Sequence, residues 1–179
     1  MRLFVGIPLE AKVRDYLYRV ERELAKLPAK FKFVAKKNLH ITLKFMPNVN
    51  ENDLEKIREN LASIKIKHFN ARLTALSWFP SQNYARVVWV GVDNEADIIK
   101  LQQRVDEQLL EFFPKDQRFK AHITLGRIKF IKNKEKFFDG VRKIAIEPLS
   151  FEISEFGLYQ SILRKEGPEY ICLQTYKLG

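Results

Sequence analysis

Two of the chain's three histidines stand at the head of one short phrase, "HITLKF" from His40 and "HITLGR" from His122, 82 residues apart. Histidine is the side chain whose ordinary pKa, about 6.5, lets it give or take a proton near neutrality. Two of them sharing a site are a general acid and a general base. Each is followed two residues on by a threonine, Thr42 and Thr124, whose hydroxyl can donate a hydrogen bond to an oxygen on which charge builds during reaction. One His-x-Thr is ordinary strand sequence. Two copies with the same apolar flank are not explained by strand propensity. The third histidine, His68 in "KIKHFN", lacks the threonine and is read as structural.

Charge gathers around both motifs. Residues 26–44 carry six lysines and no acid, and residues 115–136 carry eight basic residues against Asp116 and Glu135. The two windows hold more positive charge than the whole chain, whose formal net charge is +10. The rest of the protein is therefore net negative. A polyanionic partner and an anion-binding cleft shared by the two histidines are the expectation.

The elements that position these residues follow from periodicity. Residues 2–9 are expected to form a strand, and 10–27 a helix with Val13, Leu17, Val20 and Leu24 inward. After the first histidine strand, "NVNENDLEKIRENLASI" has cap residues ahead of Leu54, Ile57 and Leu61, the pattern of a second helix. "FNARLTALSWFP" and "YARVVWVGV" read as strands joined by the turn "PSQN". A helix over 94–113 buries Ile98, Leu101, Val105, Leu109 and Phe112; the second histidine strand follows, then a helix over 133–143 and strands over 149–159 and 169–177. The order of elements repeats, which predicts a pseudo-twofold duplication. Alternation along a strand puts His40, Thr42 and Lys44 on one face and Ile41, Leu43 and Phe45 on the other, which makes Lys44 a candidate phosphate contact. His122, Thr124 and Gly126 share a face in the same way, opposite Ile123 and Leu125.

With 179 residues, 46% of them apolar, the chain can bury about 70% of its unfolded surface in one core. No Gly- or Ser-rich linker divides it, so residues 1–179 are expected to form one domain of two closely joined lobes. A single cysteine, Cys172, excludes an internal disulfide framework and a cysteine metal cluster, and fits the cytoplasm. No segment has the roughly 20 apolar residues of a membrane span.

"RLFVGIPL", the two His-x-Thr phrases and "LYQSILRKEGPEYICL" together resemble the 2H phosphoesterases, and within them the RNA 2′,3′-cyclic phosphodiesterases, also called 2′-5′ RNA ligases. The resemblance covers the whole chain and departs locally at "FMPN", where many members have Phe, an apolar residue and Gly. It implies an α+β fold, a bilobal pseudo-twofold duplication in which each lobe is a mainly antiparallel sheet with outer helices and the lobes flank a central cleft. It also implies hydrolysis of RNA 2′,3′-cyclic phosphates to 2′-phosphates, with His40 as proton donor and His122 as proton acceptor. Thr42 and Thr124 would hold the phosphate. A 5′-hydroxyl in place of water would give a 2′-5′ linkage without ATP. Arg127 ends the second motif as an arginine commonly does in the family, but strict alternation places it opposite His122, so a β-bulge is needed to bring it in. Tyr159 and Ser161 match a family motif and also suit plain packing of the last strands.

The implied substrate is RNA ending in a 2′,3′-cyclic phosphate, tRNA fragments included. No cofactor, metal, membrane or obligate protein partner is implied, and the protein is expected to be a monomer. Two other classes of function compete. A non-catalytic RNA-binding module fits the charge, although 14 Phe and two Trp suit a core better than base stacking and no RNP-like or Gly-x-x-Gly signature occurs. A metal-dependent hydrolase needs three or more ligands, and neither repeated motif contains a carboxylate.

Overall fold

The first strand of the computed structural model, which describes residues 1–179, is β1 (Leu3–Pro8), buried along all but its last residue. Helix α1 (Ala11–Leu24) turns Val13, Leu17, Val20 and Leu24 into the core. It ends before the expected residue 27 because Pro28 disfavours the helical conformation at Leu27 and supplies no N–H. β2 (Ala29–Phe33) is a strand hidden inside the lysine-rich window, and a 3₁₀ turn at Lys36–Asn38 leads into β3 (His40–Met46). The side chain of Asn50 accepts from the backbone N–H of Asn52 at 3.0 Å, ahead of α2 (Leu54–Ala62). β4 (Phe69–Ser81) and β5 (Tyr84–Asp93) form a hairpin where the turn signal predicts it. α3 (Glu95–Gln108) buries Ile98, Leu101 and Val105. β6 (His122–Ile131) and α4 (Lys134–Lys143) complete the second repeat. β7 (Ser150–Ile153), β8 (Glu155–Leu163) and β9 (Pro168–Lys177) close the chain.

The strands make one antiparallel sheet in the order β7-β4-β5-β6-β3-β1-β8-β9, with β2 along the far part of β6. Its centre is thin: the two histidine strands meet through the single pair Ile41↔Ile123. On either side lie the matched halves β3-β1-β8-β9 and β6-β5-β4-β7, the two expected lobes. The repeats exchange strands. β4, which follows the first histidine strand in sequence, belongs to the second lobe, and β8 does the reverse. Helices cross over too, since α1 packs on β6 and α3 on β3. Each lobe is thus built from both halves of the sequence.

This exchange corrects one expectation. The stretch 149–159 is two strands, because Ser150–Ile153 pairs with β4 in one lobe while the strand that starts at Glu155 pairs with β9 and, from Gly157, with β1 in the other. The change of partner falls at Ser154.

Candidate active site

Both histidine strands leave regular pairing at the same point. Thr42 lies opposite Gly6 and Lys44 opposite Val5, so Leu43 is an extra residue. Thr124 lies opposite Trp89 and Gly126 opposite Val88, so Leu125 is the extra one. A bulge reverses the facing of every residue after it. Strict alternation therefore fails in both motifs beyond the fourth residue.

Three sequence assignments are overturned by this, those of Lys44, Phe45 and Gly126, which the bulge turns away from the face of His122 and Thr124, and one condition is met. Lys44 is not on the histidine face: it is 2% exposed, with Nζ 2.7 Å from Asp106 Oδ1 and 3.3 Å from Asp116 Oδ1, and it donates to the Pro114 carbonyl at 2.5 Å. It is a buried structural cation. Phe45, assigned to the core, is instead 43% exposed and lines the cleft beside His40 and Thr42. Arg127 stands at the equivalent place in the second motif, and the bulge brings it into the cleft with His122 and Thr124. The residues before them differ for a packing reason. A Cβ at Gly126 would lie 3.0 Å from the Phe33 ring and 3.1 Å from the Lys32 carbonyl, so glycine lets β2 lie close against β6 there without a shift of its neighbours.

The two imidazoles are oriented alike. Nδ1 of His40 donates to the Asn38 carbonyl at 2.7 Å, and Nδ1 of His122 to the Lys120 carbonyl at 2.6 Å, in each case two residues back along the chain. A carbonyl can only accept, so Nδ1 carries the proton and Nε2 is the working nitrogen. Thr42 Oγ1 lies 2.9 Å from His40 Nε2 and donates to it while the ring is neutral. His40 is held by Phe4, with ring centroids 4.8 Å apart, and edge-on by Tyr170 at 5.5 Å. It lies over Gly6, where a Cβ would come within 3.2 Å of the imidazole. His122 is braced by Phe79 at 5.1 Å and Trp89 at 5.7 Å.

Burial lowers the pKa of His40, opposed by its hydrogen bond to Asn38 and assisted by the charge of His122. Burial likewise lowers that of His122, opposed by the Lys120 carbonyl and assisted by the Lys120 ammonium. Both rings are therefore neutral at rest near neutrality.

A cleft of about 1070 Å³ holds both histidines and both threonines. From the first basic window it receives Lys32, Lys36 and Lys37, and from the second Arg127 and Lys129. Sequence reasoning missed Arg2, Arg22 and Arg164, which also line it; each is an isolated arginine from a distant element, and only the fold gathers them. Ser161 lies at the cleft wall, 9% exposed, with its backbone N–H donating to the Arg2 carbonyl at 2.9 Å. Tyr159 is behind the wall. It stacks on Phe4 at 5.1 Å, and burial pushes its phenol up to about 12. It therefore braces His40 through Phe4. His68 lies outside the cleft, 3.8 Å from Glu152. No group of three or more His, Cys, Asp or Glu side chains converges as a metal site would require.

Known proteins resemble this chain in sequence and fold. The LigT like Phosphoesterase family matches residues 7–89 and 90–170, one copy for each repeat. An Archaeoglobus fulgidus protein named RNA 2′,3′-cyclic phosphodiesterase is 35% identical over 99% of this chain and all of its own length. One of the same name from Methanocaldococcus jannaschii is also 35% identical, over 98% of this chain and all of its own. Among solved structures, a Thermus thermophilus protein superposes with a TM-score of 0.84 at 25% identity, covering 99% of this chain and 98% of its own. E. coli LigT complexed with 3′-AMP gives 0.76 at 25% identity, over 99% and 97%. With the duplicated motif, the exchanged lobes and the full-length matches in agreement, the chain belongs to the LigT-like phosphoesterase family.

Proposed function

We propose that the protein is an RNA 2′,3′-cyclic phosphodiesterase, the activity for which its relatives are named, and that it opens the ring to a 2′-phosphate. The observation that supports this best is the like-for-like presentation of two Nε2 atoms, each fixed by a backbone carbonyl, in one cation-lined cleft. In the proposed step, His122 Nε2 takes a proton from water as its oxygen bonds to phosphorus. The bond from phosphorus to the 3′ oxygen breaks, and His40, whose Nε2 takes up a proton when the anionic phosphate binds beside it, delivers that proton to the oxygen. Thr42 and Thr124 donate to the non-bridging oxygens, where Arg127 adds positive charge. Replacing water by a 5′-hydroxyl leaves the steps unchanged and yields a 2′-5′ linkage without ATP. RNA fragments with cyclic phosphate ends, those of tRNA among them, are the substrates of this reading. It needs one copy of the chain, since both histidines come from the same polypeptide.

The test is to incubate the protein with the four nucleoside 2′,3′-cyclic phosphates in EDTA and identify the product. Nucleoside 2′-phosphates are expected at undiminished rate, because the imidazoles supply both proton transfers. A 3′-phosphate product, or loss of turnover restored by zinc or manganese, overturns the mechanism.

Binding and pH supply two further checks. RNA ending in a cyclic phosphate should bind more tightly than the mononucleotide, and only the RNA should lose affinity steeply with salt, through the lysines and arginines of the cleft. Equal binding of both ligands across a salt titration would remove those residues from substrate recognition. The pH profile of kcat/KM reports the free enzyme. It should rise as His122 loses its proton and fall as His40 loses its own. With both pKa values lowered, both limbs lie below about 6.5. In the profile of kcat the falling limb should move to higher pH, since a bound phosphate favours the His40 imidazolium. Coincident falling limbs for kcat and kcat/KM would count against His40 as the acid.

A further inference from the structure

Helix α1 and its capping residue Ala25 turn one stripe of side chains to the cleft, Tyr18, Glu21, Arg22 and Ala25, at the i, i+3, i+4, i+7 spacing of a single helix face. None of them belongs to the repeated motifs. Glu21 is the anomaly among them: it is 3% exposed, and its Oε1 has no hydrogen-bond partner in the protein. Buried polar atoms are almost always satisfied, and one left open on the wall of a cleft is suited to a partner that arrives with a ligand. Burial pushes the Glu21 carboxyl up to about 8, so near neutrality it is a carboxylic acid. In that form it offers a donor O–H beside an acceptor C=O. One turn earlier, Tyr18 is 44% exposed, with the Lys36 ammonium 5.8 Å from its ring centroid. The same cleft is also lined by the apolar Phe33, at the end of β2, and Ala35 just after it. At about 1070 Å³ the cleft is far larger than a cyclic phosphate.

We infer that this stripe is the nucleobase subsite, in which Glu21 reads the hydrogen-bonding edge of the base that bears the cyclic phosphate and Tyr18 stacks on its face. The inference rests on the proposed function, because it takes the ligand to be a nucleotide. Single-stranded RNA is commonly recognised in this way, by an aromatic face together with hydrogen bonds to a base edge. The Watson–Crick edges of the bases place an N–H next to an acceptor, which complements a carboxylic acid. A carboxylate accepts only, and would be matched by the two adjacent donors of guanine alone. Because Glu21 is fixed in a helix wall, it meets that edge at one depth in the cleft, which separates purines from pyrimidines.

The experiment measures by calorimetry the affinity of the four nucleoside 2′-phosphates, a readout that does not depend on turnover, for the parent protein, Glu21→Gln, Glu21→Leu and Tyr18→Ala. Gln keeps a donor beside an acceptor, so Glu21→Gln should keep the parent's order of preference. Glu21→Leu should weaken the preferred base by roughly five- to tenfold and flatten the spread. Tyr18→Ala should weaken all four, by roughly fivefold or more. Should Glu21→Leu fold poorly, Glu21→Met serves in its place, and Tyr18→Ala, at an exposed position, reads the stacking half independently. No preference in the parent, a preference unchanged in Glu21→Leu, or a Glu21→Gln protein that behaves like Glu21→Leu overturns the assignment. Selective binding without hydrolysis of the cyclic phosphates would overturn the proposed function and leave the subsite standing. Hydrolysis without selectivity would do the reverse.

Discussion

His40→Ala and His122→Ala should each lower turnover by roughly 10²–10⁴-fold, the contribution of one positioned proton transfer. The fold should survive both changes, because each ring opens on the cleft and the strands are held by the buried face of Ile41, Leu43, Ile123 and Leu125. The two defects should differ in kind. If His40 protonates the departing 3′ oxygen, a phosphodiester whose leaving group is already a weak base, such as an aryl oxide, needs that proton less. His40→Ala should then recover much of its activity on the aryl substrate. His122→Ala should not recover, since the attacking water still lacks its base. The quantity to compare is the ratio of variant to parent rate on a ribose and on an aryl leaving group, once both substrates are known to bind. Recovery of His122→Ala alone would reverse the assignment. The fixed Nδ1 tautomer gives a further reading: substituting Asn38 or Lys120 leaves the carbonyls in place, so neither change should abolish proton transfer as loss of a histidine does.

The histidine pair that the fold brings into one cleft was legible in the sequence because its signal is a repeat. Two copies of one phrase in two basic windows need no knowledge of the fold, and the residues up to Thr42 and Thr124 face as alternation requires. Legibility ended at the bulges. An extra residue at Leu43 and at Leu125 has no signature in the letters themselves, since both are ordinary strand formers, yet it decides that Phe45 and Arg127 enter the cleft and Lys44 leaves it. β2 was hidden for another reason. "AKFKF" alternates correctly, but it sits in a lysine run and gains its partner only when β6 arrives, about a hundred residues later. The cleft arginines Arg2, Arg22 and Arg164 and the buried Glu21 were beyond reach because their meaning depends on which elements lie opposite them. Sequence periodicity reports which face of an element is buried and says little about what that face meets.

Lys44 turns this difference into a measurable one. Lys44→Ala should destabilise the protein by about 3–5 kcal/mol, the usual cost of removing one partner from a buried ion pair. The reason lies in what remains. Asp106 Oδ2 accepts from Gln102 Nε2 at 2.8 Å and from the Asp116 N–H at 2.9 Å, but Oδ1 faces only the Lys44 ammonium, an ion pair without an aligned hydrogen bond. Without Lys44 a carboxylate is left buried beside a Pro114 carbonyl that has also lost its donor. Replacing the pair together, as Lys44→Met with Asp106→Leu, should restore part of the loss, because no uncompensated charge is then left inside, while the Gln102 amide, the Asp116 N–H and the Pro114 carbonyl still lack partners. Denaturant midpoints at constant m-value give the comparison. Arg127→Ala should behave in the opposite way, with stability within about 0.5 kcal/mol of the parent and a reduced kcat/KM, since it is an exposed residue of the cleft to which the proposed function gives a place beside the phosphate. Under conditions where Lys44→Ala is folded, its turnover should match the parent's. A Lys44→Ala protein with parental stability and impaired turnover would put the lysine back on the phosphate and take the bulge out of the argument.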